Sequence, residues 1–320
     1  MKPLNKTALI LALGISLTGL AACGGGGKKD DDKDDQAQNG FPADFQLYKQ
    51  DGVWKVTEDI DFTHTQTIST GGDMLTATIA VSQNSVYSFS VDYVDDNTIR
   101  LASCNDEMDM PEVKSLQELE NALYFQDTGD NDPVCINEHH TYTRIDDASY
   151  KIEVSCDNDF SAVFTVTRLS QEAVFNTGSL LINAPGTYPS LDTQSGVCGA
   201  RYEDQTIARL PDGSIIQDQS EEFTEIHVAA RDYGPAALPV MLYMEFNETP
   251  EAGVSYTASL DTGKAVDVSL VSNTFDEFYI SATGGTVTIT AITDSAVSGT
   301  FDLQTDQGNF SGSFDYDLNQ

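Results

Sequence analysis

Basic residues are scarce in this sequence of 320 residues. It contains 16 lysines and arginines against 51 aspartates and glutamates, which gives a formal net charge of −35 at pH 7. Nucleic acids and anionic lipid head groups are bound mainly through lysine and arginine, so a surface of this sign repels both. The composition therefore excludes a nucleic-acid partner. Because 40% of the residues are hydrophobic, the chain can still build packed cores.

Uncharged apolar stretches are also rare, and the clearest one lies near the N-terminus. Lys2 and Lys6 precede the uncharged residues 8–20, in the order typical of a secretory signal peptide. This stretch is too short to span a hydrocarbon core, which takes about 20 residues. We therefore expect residues 1–22 to be a signal peptide.

The Leu-Ala-Ala-Cys sequence of residues 20–23 resembles the lipobox of bacterial lipoproteins. The resemblance implies cleavage before Cys23, a diacylglycerol on its sulfur and an acyl chain such as palmitate on its amino group. Two or three buried acyl chains hold a protein on a bilayer far more firmly than one chain does. In Gram-negative lipoproteins an aspartate after the cysteine favours the inner membrane, whereas this chain has Gly24. The resemblance thus predicts an outer-membrane protein, on the periplasmic face or the cell surface.

Only five cysteines occur in the sequence. Besides Cys23 they are Cys104, Cys135, Cys156 and Cys198, and an even number in an exported protein predicts two disulfides. Three pairings are open, and we favour the sequence neighbours, 104 with 135 and 156 with 198, because they close the shorter loops. The alternative of a zinc site is disfavoured, since no Cys-x-x-Cys pair exists.

Residues 23–40 are rich in glycine and aspartate and contain no large apolar side chain. They predict a flexible tether with a reach of about 20 to 25 Å. Acidic tethers behind a lipidated cysteine resemble the surface-export signals of some Gram-negative lipoproteins, and a solvated spacer is the simpler interpretation.

Period-two alternation of apolar and polar residues dominates the chain after residue 40 and predicts an all-β fold. The clearest runs have Tyr150, Ile152 and Val154 on one face, then Phe160, Ala162, Phe164 and Val166, and later Val287, Ile289 and Ala291.

The C-terminal residues repeat a Ser-Gly-x-Phe-Asp pattern at 298–302 and 311–315, which predicts a hairpin with its turn at 306–308. Its glycines would let a neighbouring aromatic ring lie over the backbone. The pattern is similar to the terminal strands of many bacterial lipoproteins, and this similarity implies no particular activity. The inward side chains of the hairpin would be Phe301, Leu303, Phe310, Phe314 and Tyr316.

Helical character is confined to one stretch. Ser115 and Glu118 form a capping-box pair, and three leucines follow on one stripe, so we expect a short helix at 115–125.

The alternation stops at residues 169–176 and resumes at Gly178, which indicates a linker. We therefore expect two antiparallel β-sandwich or small-barrel domains, at residues 41–170 and 178–320.

Two groups of residues are candidate ligand sites. Glu138, His140 and Tyr142 would share one face of a strand and could bind a ligand or metal, although an exposed strand face explains them equally well. The other group could bind calcium through oxygen ligands at short spacing, with solvated turn acids as the simpler alternative. It consists of Asp127, Asp130 and Asp132 around Gly129.

Signs of catalysis are few. The sequence after the signal peptide has no Gly-x-Ser-x-Gly elbow and the chain has only four histidines, which disfavours a serine hydrolase. Glycoside hydrolysis by two carboxyl groups stays open, and it predicts a cleft where acids with raised pKa values meet aromatic rings.

Taken together, these features predict a non-catalytic cell-envelope lipoprotein that binds a protein, glycan or envelope component. The alternatives are a hydrolase of an extracellular polymer and a calcium-stabilised surface module. No cofactor is expected other than calcium in the last case.

Overall fold

A computed structural model describes most of the chain after residue 49. The described residues are 50–70, 73–95, 98–104, 112–115, 139–157, 159–186, 188, 190–216, 220–230, 240–259, 265–271 and 279–319. Strands and turns account for their regular structure, and no helix occurs among them, so the predicted all-β class is confirmed. Accordingly, the described part of the chain has no helix of the length and apolar composition that crossing a membrane requires.

Seven of the described strands precede residue 171. They are β1 (Gly52–Thr70), β2 (Asp73–Asp95), β3 (Thr98–Ser103), β4 (Glu112–Ser115), β5 (His139–Arg144), β6 (Ser149–Ser155) and β7 (Ser161–Ser170).

Ten strands follow. They are β8 (Gly178–Asn183), β9 (Leu191–Thr193), β10 (Val197–Arg209), β11 (Glu221–Ala230), β12 (Val240–Phe246), β13 (Val254–Ala258), β14 (Ala265–Val271), β15 (Tyr279–Thr293), β16 (Ala296–Thr305) and β17 (Gly308–Asp317).

One hydrogen-bonded sheet connects all the described strands. β1 and β2 form a long antiparallel hairpin, in which β1 also pairs with β7 and β2 also pairs with β10. The β2–β10 pairing joins the first seven strands to the later ones. On the far side of β10 the order continues through β11, β12 and β14.

Two large groups of buried apolar side chains stabilise this sheet. The first core consists mainly of residues from β1 to β7, including Trp54, Val56, Ile152, Phe164 and Val166. The second core consists mainly of residues from β8 and β10 to β17, including Ile226, Leu242, Met244, Phe246 and Phe310. Strand β7 ends at Ser170 and β8 begins at Gly178. The division into two domains stays a prediction, as does the helix at 115–125, of which the structure describes only Ser115.

The C-terminal hairpin is confirmed. β16 and β17 pair antiparallel, with Phe301 opposite Gly312, and all five predicted inward side chains are buried. A Cβ atom on Gly312 would lie 2.7 Å from the ring of Phe301, and one on Gly299 would lie 2.6 Å from the ring of Phe314. These glycines therefore make room for the aromatic rings, as the sequence predicts.

The prediction that Ala291 lies on the same face as Val287 and Ile289 is wrong. Val287 and Ile289 are buried, but the pairing of β15 with β16 shifts register between Ile289 and Ala291, and Ala291 is exposed. A bulge adds one residue to a strand and so reverses the side chains beyond it.

The favoured disulfide pairing is also wrong, because Cys104 is bonded to Cys198. The backbone N–H of Cys104 donates to the carbonyl of Ser88 at 3.1 Å, while Ala200 lies opposite Tyr87. β3 and β10 therefore follow each other along β2, and this pairing brings together cysteines that are 94 residues apart. Cys156 is also disulfide-bonded, whereas Cys23 and Cys135 lie outside the described residues.

Candidate functional site

The site residues predicted from the sequence are only partly described. The acids at 127, 130 and 132, together with Glu138 and Cys23, lie outside the described residues. For His140 the structure gives the backbone in β5, opposite Val154, and Tyr142 lies half-buried against the first core. Within the described part of the chain, no group of three or more histidine, cysteine or acidic side chains is placed to hold a metal ion. These candidate sites stay predictions.

A different group of polar residues lies in one row across five neighbouring strands. The strand registers place each member directly opposite the next, and directly opposite residues share one face of a sheet. The row runs from β2 to β14 through Ser85, Tyr202, Glu225, Glu245 and Asp267. Three carboxyl groups on adjacent strands β11, β12 and β14 therefore point to the same side.

Aromatic rings form a parallel row on the same face. His227 and Tyr243 face each other across β11 and β12, two residues along from the acids. The ring centroids of His227 and Tyr243 are 4.9 Å apart, and those of Tyr202 and His227 are 5.2 Å apart. Tyr202 also stacks with Tyr87, at 6.2 Å. We name the following six residues the acidic-aromatic face: Tyr202, Glu225, His227, Tyr243, Glu245 and Asp267.

The acidic-aromatic face lies at the margin of the first core. On the same side of the sheet, Ala229 follows His227 on β11 and Met241 lies beyond Tyr243 on β12, and both belong to that core. On β14, Ser269 separates Asp267 from Val271, which belongs to the core as well. The intervening residues Ile226 and Met244 point the other way, into the second core. Strands β11 and β12 thus change from buried apolar side chains to aromatic rings and then to carboxyl groups within five residues.

His227 is the most buried polar side chain of the face. The residue is 6% exposed, and neither ring nitrogen has a hydrogen-bond partner among the described residues. Its Nε2 lies 3.4 Å from Oε2 of Glu225 without hydrogen-bond geometry. Since a buried polar atom is normally hydrogen-bonded, this unpartnered imidazole is the feature of the face that packing alone does not explain.

The charges that the described residues place on the face are negative. The hydroxyl of Tyr243 donates to Oε2 of Glu245 at 2.8 Å. Burial, followed by the negative charge of Glu225, raises the pKa of Tyr243. Burial, followed by the charge of Glu245, also raises the pKa of Asp267. A raised carboxyl pKa means that the ionised form is disfavoured here, so the face would be stabilised by a positive charge.

Glu58 extends the row in the other direction, opposite Ser85 and Phe164. The Ser85 hydroxyl donates to Oε2 of Glu58 at 3.1 Å. Burial raises the pKa of Glu58 to about 7, with the Ser85 hydrogen bond opposing the rise and the charge of Asp204 adding to it. With strands about 4.8 Å apart, Glu58 lies roughly 14 Å along the row from Glu225 and is a separate buried acid.

Sequence reasoning missed the acidic-aromatic face because its residues come from four separate strands. Each strand shows only a short polar pattern, such as Glu225-x-His227 or Tyr243-x-Glu245. These patterns resemble the solvent side of any half-buried strand, and only the register of the four strands brings them together.

Comparison with known proteins adds little to this geometry. The crystal structure of the isotype 1 transferrin binding protein B from serogroup B Neisseria meningitidis aligns with 85% of this chain and 77% of its own, at 9% sequence identity and a TM-score of 0.18. A TM-score this low carries no argument about fold or function. No family model and no curated protein matches the chain.

Proposed function

We propose that this protein is a lipid-anchored component of the cell envelope that binds a partner through the acidic-aromatic face and catalyses no reaction. The observation that carries the proposal is the imidazole of His227, which is buried between two tyrosine rings with no hydrogen-bond partner among the described residues. A bound partner would supply the missing hydrogen bond. The half-buried acids beside it would complete the contact.

The proposed anchor is the lipidated Cys23, followed by the tether of residues 23–40 and two β-domains. The lipobox of residues 20–23 supports it, as does Gly24 in place of the aspartate that favours the inner membrane. A tether that reaches about 20 to 25 Å would hold the folded body clear of the head groups. The outer membrane is the proposed location, with the periplasmic face and the cell surface both open.

Mass spectrometry of the protein purified from membranes tests the anchor. We expect the N-terminal peptide to begin at Cys23 and to carry the mass of a diacylglycerol and an acyl chain. A Cys23→Ser variant should leave the membrane fraction. An unmodified Cys23 thiol in wild-type protein would contradict the anchor and would leave the binding proposal to be tested separately.

Photo-crosslinking in living cells tests the binding face. A photoreactive amino acid in place of Phe223, which lies two residues before Glu225 on the same side of β11, should give a discrete crosslinked product. Glu225→Gln combined with Glu245→Gln in the same chain should abolish it. The control position is Thr300, which is exposed on β16. A product of equal yield from Thr300, or one from Phe223 that persists with Glu225→Gln and Glu245→Gln, would contradict the proposal.

A polymer hydrolase is the second candidate, because acids and aromatic rings converge here and burial raises the pKa of Asp267. Glu225 and Glu245 face each other on adjacent strands and would be its carboxyl pair. The test is hydrolysis of purified envelope and extracellular polysaccharides by the full chain. Turnover that Glu245→Gln abolishes would replace the binding proposal with this one.

A further inference from the structure

The geometry points to an arginine side chain, presented by a basic polypeptide segment, as the group that the acidic-aromatic face binds. This inference rests on the proposed binding function and names the chemistry of the partner. The observation behind it is the combination of three carboxyl groups with a ring row that contains an unpartnered, buried imidazole among the described residues.

The charge of the face favours a cation. Glu225, Glu245 and Asp267 lie opposite one another on adjacent strands, and among the described residues the charges that raise the pKa values of Tyr243 and Asp267 come from acidic neighbours. Carboxylates held together and partly removed from water are stable when a cation lies between them. The whole chain carries −35, so its field also attracts a basic partner from a distance.

The shape of the face favours a planar cation. Strands are about 4.8 Å apart, so the three carboxyl groups extend over roughly 10 Å of the sheet. A planar guanidinium with five N–H donors can reach two acceptors on adjacent strands at once, whereas a compact ammonium group contacts them as a point charge. The spacing therefore favours arginine over lysine.

The ring row offers a stacking surface to the same group. Guanidinium groups stack on the faces of aromatic rings, and two tyrosine rings flank His227 at 5.2 and 4.9 Å. Both ring nitrogens of His227 are buried, so a guanidinium that donates an N–H to one of them would enter between the two tyrosine rings. One arginine would thus contact the carboxylates, the ring face and the unpartnered imidazole together.

The experiment is a titration of the full chain with tetra-arginine, at about 0.15 M salt so that long-range attraction is screened. We expect Glu225→Gln combined with Glu245→Gln to weaken binding by about tenfold or more. The control pair is Glu221→Gln with Glu172→Gln, which removes the same charge from exposed positions and should change binding by less than about twofold. Equal losses from both pairs would overturn the inference, since bulk charge would then explain the binding.

Titrations with two further peptides test the arginine assignment separately from the proposed function. Tetra-citrulline has the shape of the arginine peptide without its charge and should not bind, and tetra-lysine should bind more weakly. Tetra-citrulline or tetra-lysine binding as tightly as tetra-arginine would overturn the arginine assignment while leaving the binding face in place. Failure of every peptide to bind would overturn it as well, and crosslinking from position 223 would then decide the proposed function on its own.

Variants of Tyr243 test the ring row independently of the glutamates, in case the glutamate variants do not fold. Tyr243→Phe keeps the ring and should keep most of the binding, whereas Tyr243→Leu removes the ring face and should lose it. Thermal unfolding of each variant shows whether it is folded. Equal binding by two folded variants would overturn the role of the ring row.

Discussion

Replacing Glu58 with glutamine should make the protein more stable at alkaline pH and leave it unchanged at acid pH. Glu58 lies on the inward side of β1 between Val56 and Ile60, which are 0% and 2% exposed. Its carboxyl group is removed from water there, which raises its pKa from an ordinary value of 4.5 to about 7. The folded protein therefore binds a proton at this position more tightly than the unfolded chain does.

The sign of the effect follows from proton binding. Below about pH 4.5 the carboxyl group is protonated in both states, and Glu58 has no pH-dependent effect on stability. Between about 4.5 and 7 the unfolded state loses its proton first, so the free energy of unfolding falls as the pH rises. Above that range the buried carboxylate lowers the free energy of unfolding by its full amount. A change in pKa from 4.5 to about 7 corresponds to about 3 kcal/mol.

Urea unfolding of both proteins at several pH values measures this cost. We expect Glu58→Gln to match the wild type below about pH 4.5 and to exceed it by about 2 to 3 kcal/mol at about pH 8, because an amide keeps the Ser85 hydrogen bond and needs no charge. Glu221→Gln, an exposed control, should show a nearly constant difference. A Glu58→Gln difference that does not vary with pH would refute the reasoning that burial disfavours this charge.

Two further predictions concern stability. Cys104→Ala combined with Cys198→Ala removes a disulfide between positions 94 residues apart and should lower the free energy of unfolding by about 4 to 5 kcal/mol. Urea titration of the oxidised wild type and the double variant measures this loss, and an unchanged urea midpoint would contradict the bond. Gly199→Ala should destabilise by about 3 kcal/mol, because its Cβ would lie 2.1 Å from the buried ring of Tyr316, whereas Gly284→Ala meets its nearest atom at 3.4 Å and should cost less than about 1 kcal/mol. Similar melting temperatures for these two variants would show that the Tyr316 contact is not the cause.

The sequence predicts the local structure of this protein well. Alternation over a few residues determines which side of a strand is buried, so the inward faces of β6, β7 and the C-terminal hairpin are as expected. Ala291 departs from the pattern because a bulge beside Ile289 depends on how β15 pairs with β16. A pattern within one strand contains no information about that pairing.

Long-range pairing is also the reason why the disulfide and the candidate site could not be predicted. β3 and β10 both pair with β2, and this arrangement determines the partner of Cys104. The acidic-aromatic face likewise depends on the register of four strands between residues 202 and 267. The sequence contains many acids and aromatic residues, but it does not indicate which of them come together in one site.

The acids of the acidic-aromatic face differ in their burial from the exposed acids of the chain. Most of the 51 acids of the chain can be solvated wherever they lie on the surface. Glu225 differs because its side chain is only 14% exposed and lies beside an imidazole that is 8% exposed. Burial, rather than number, therefore distinguishes these carboxyl groups from the exposed acids of the chain.

A crystal structure of the full chain with bound tetra-arginine tests the proposed recognition of arginine most directly. We expect a guanidinium group within hydrogen-bonding distance of the Glu225 or Glu245 carboxylate and stacked on the ring of Tyr202 or Tyr243. A peptide bound elsewhere, or a face filled by other residues of the chain itself, would contradict this binding mode.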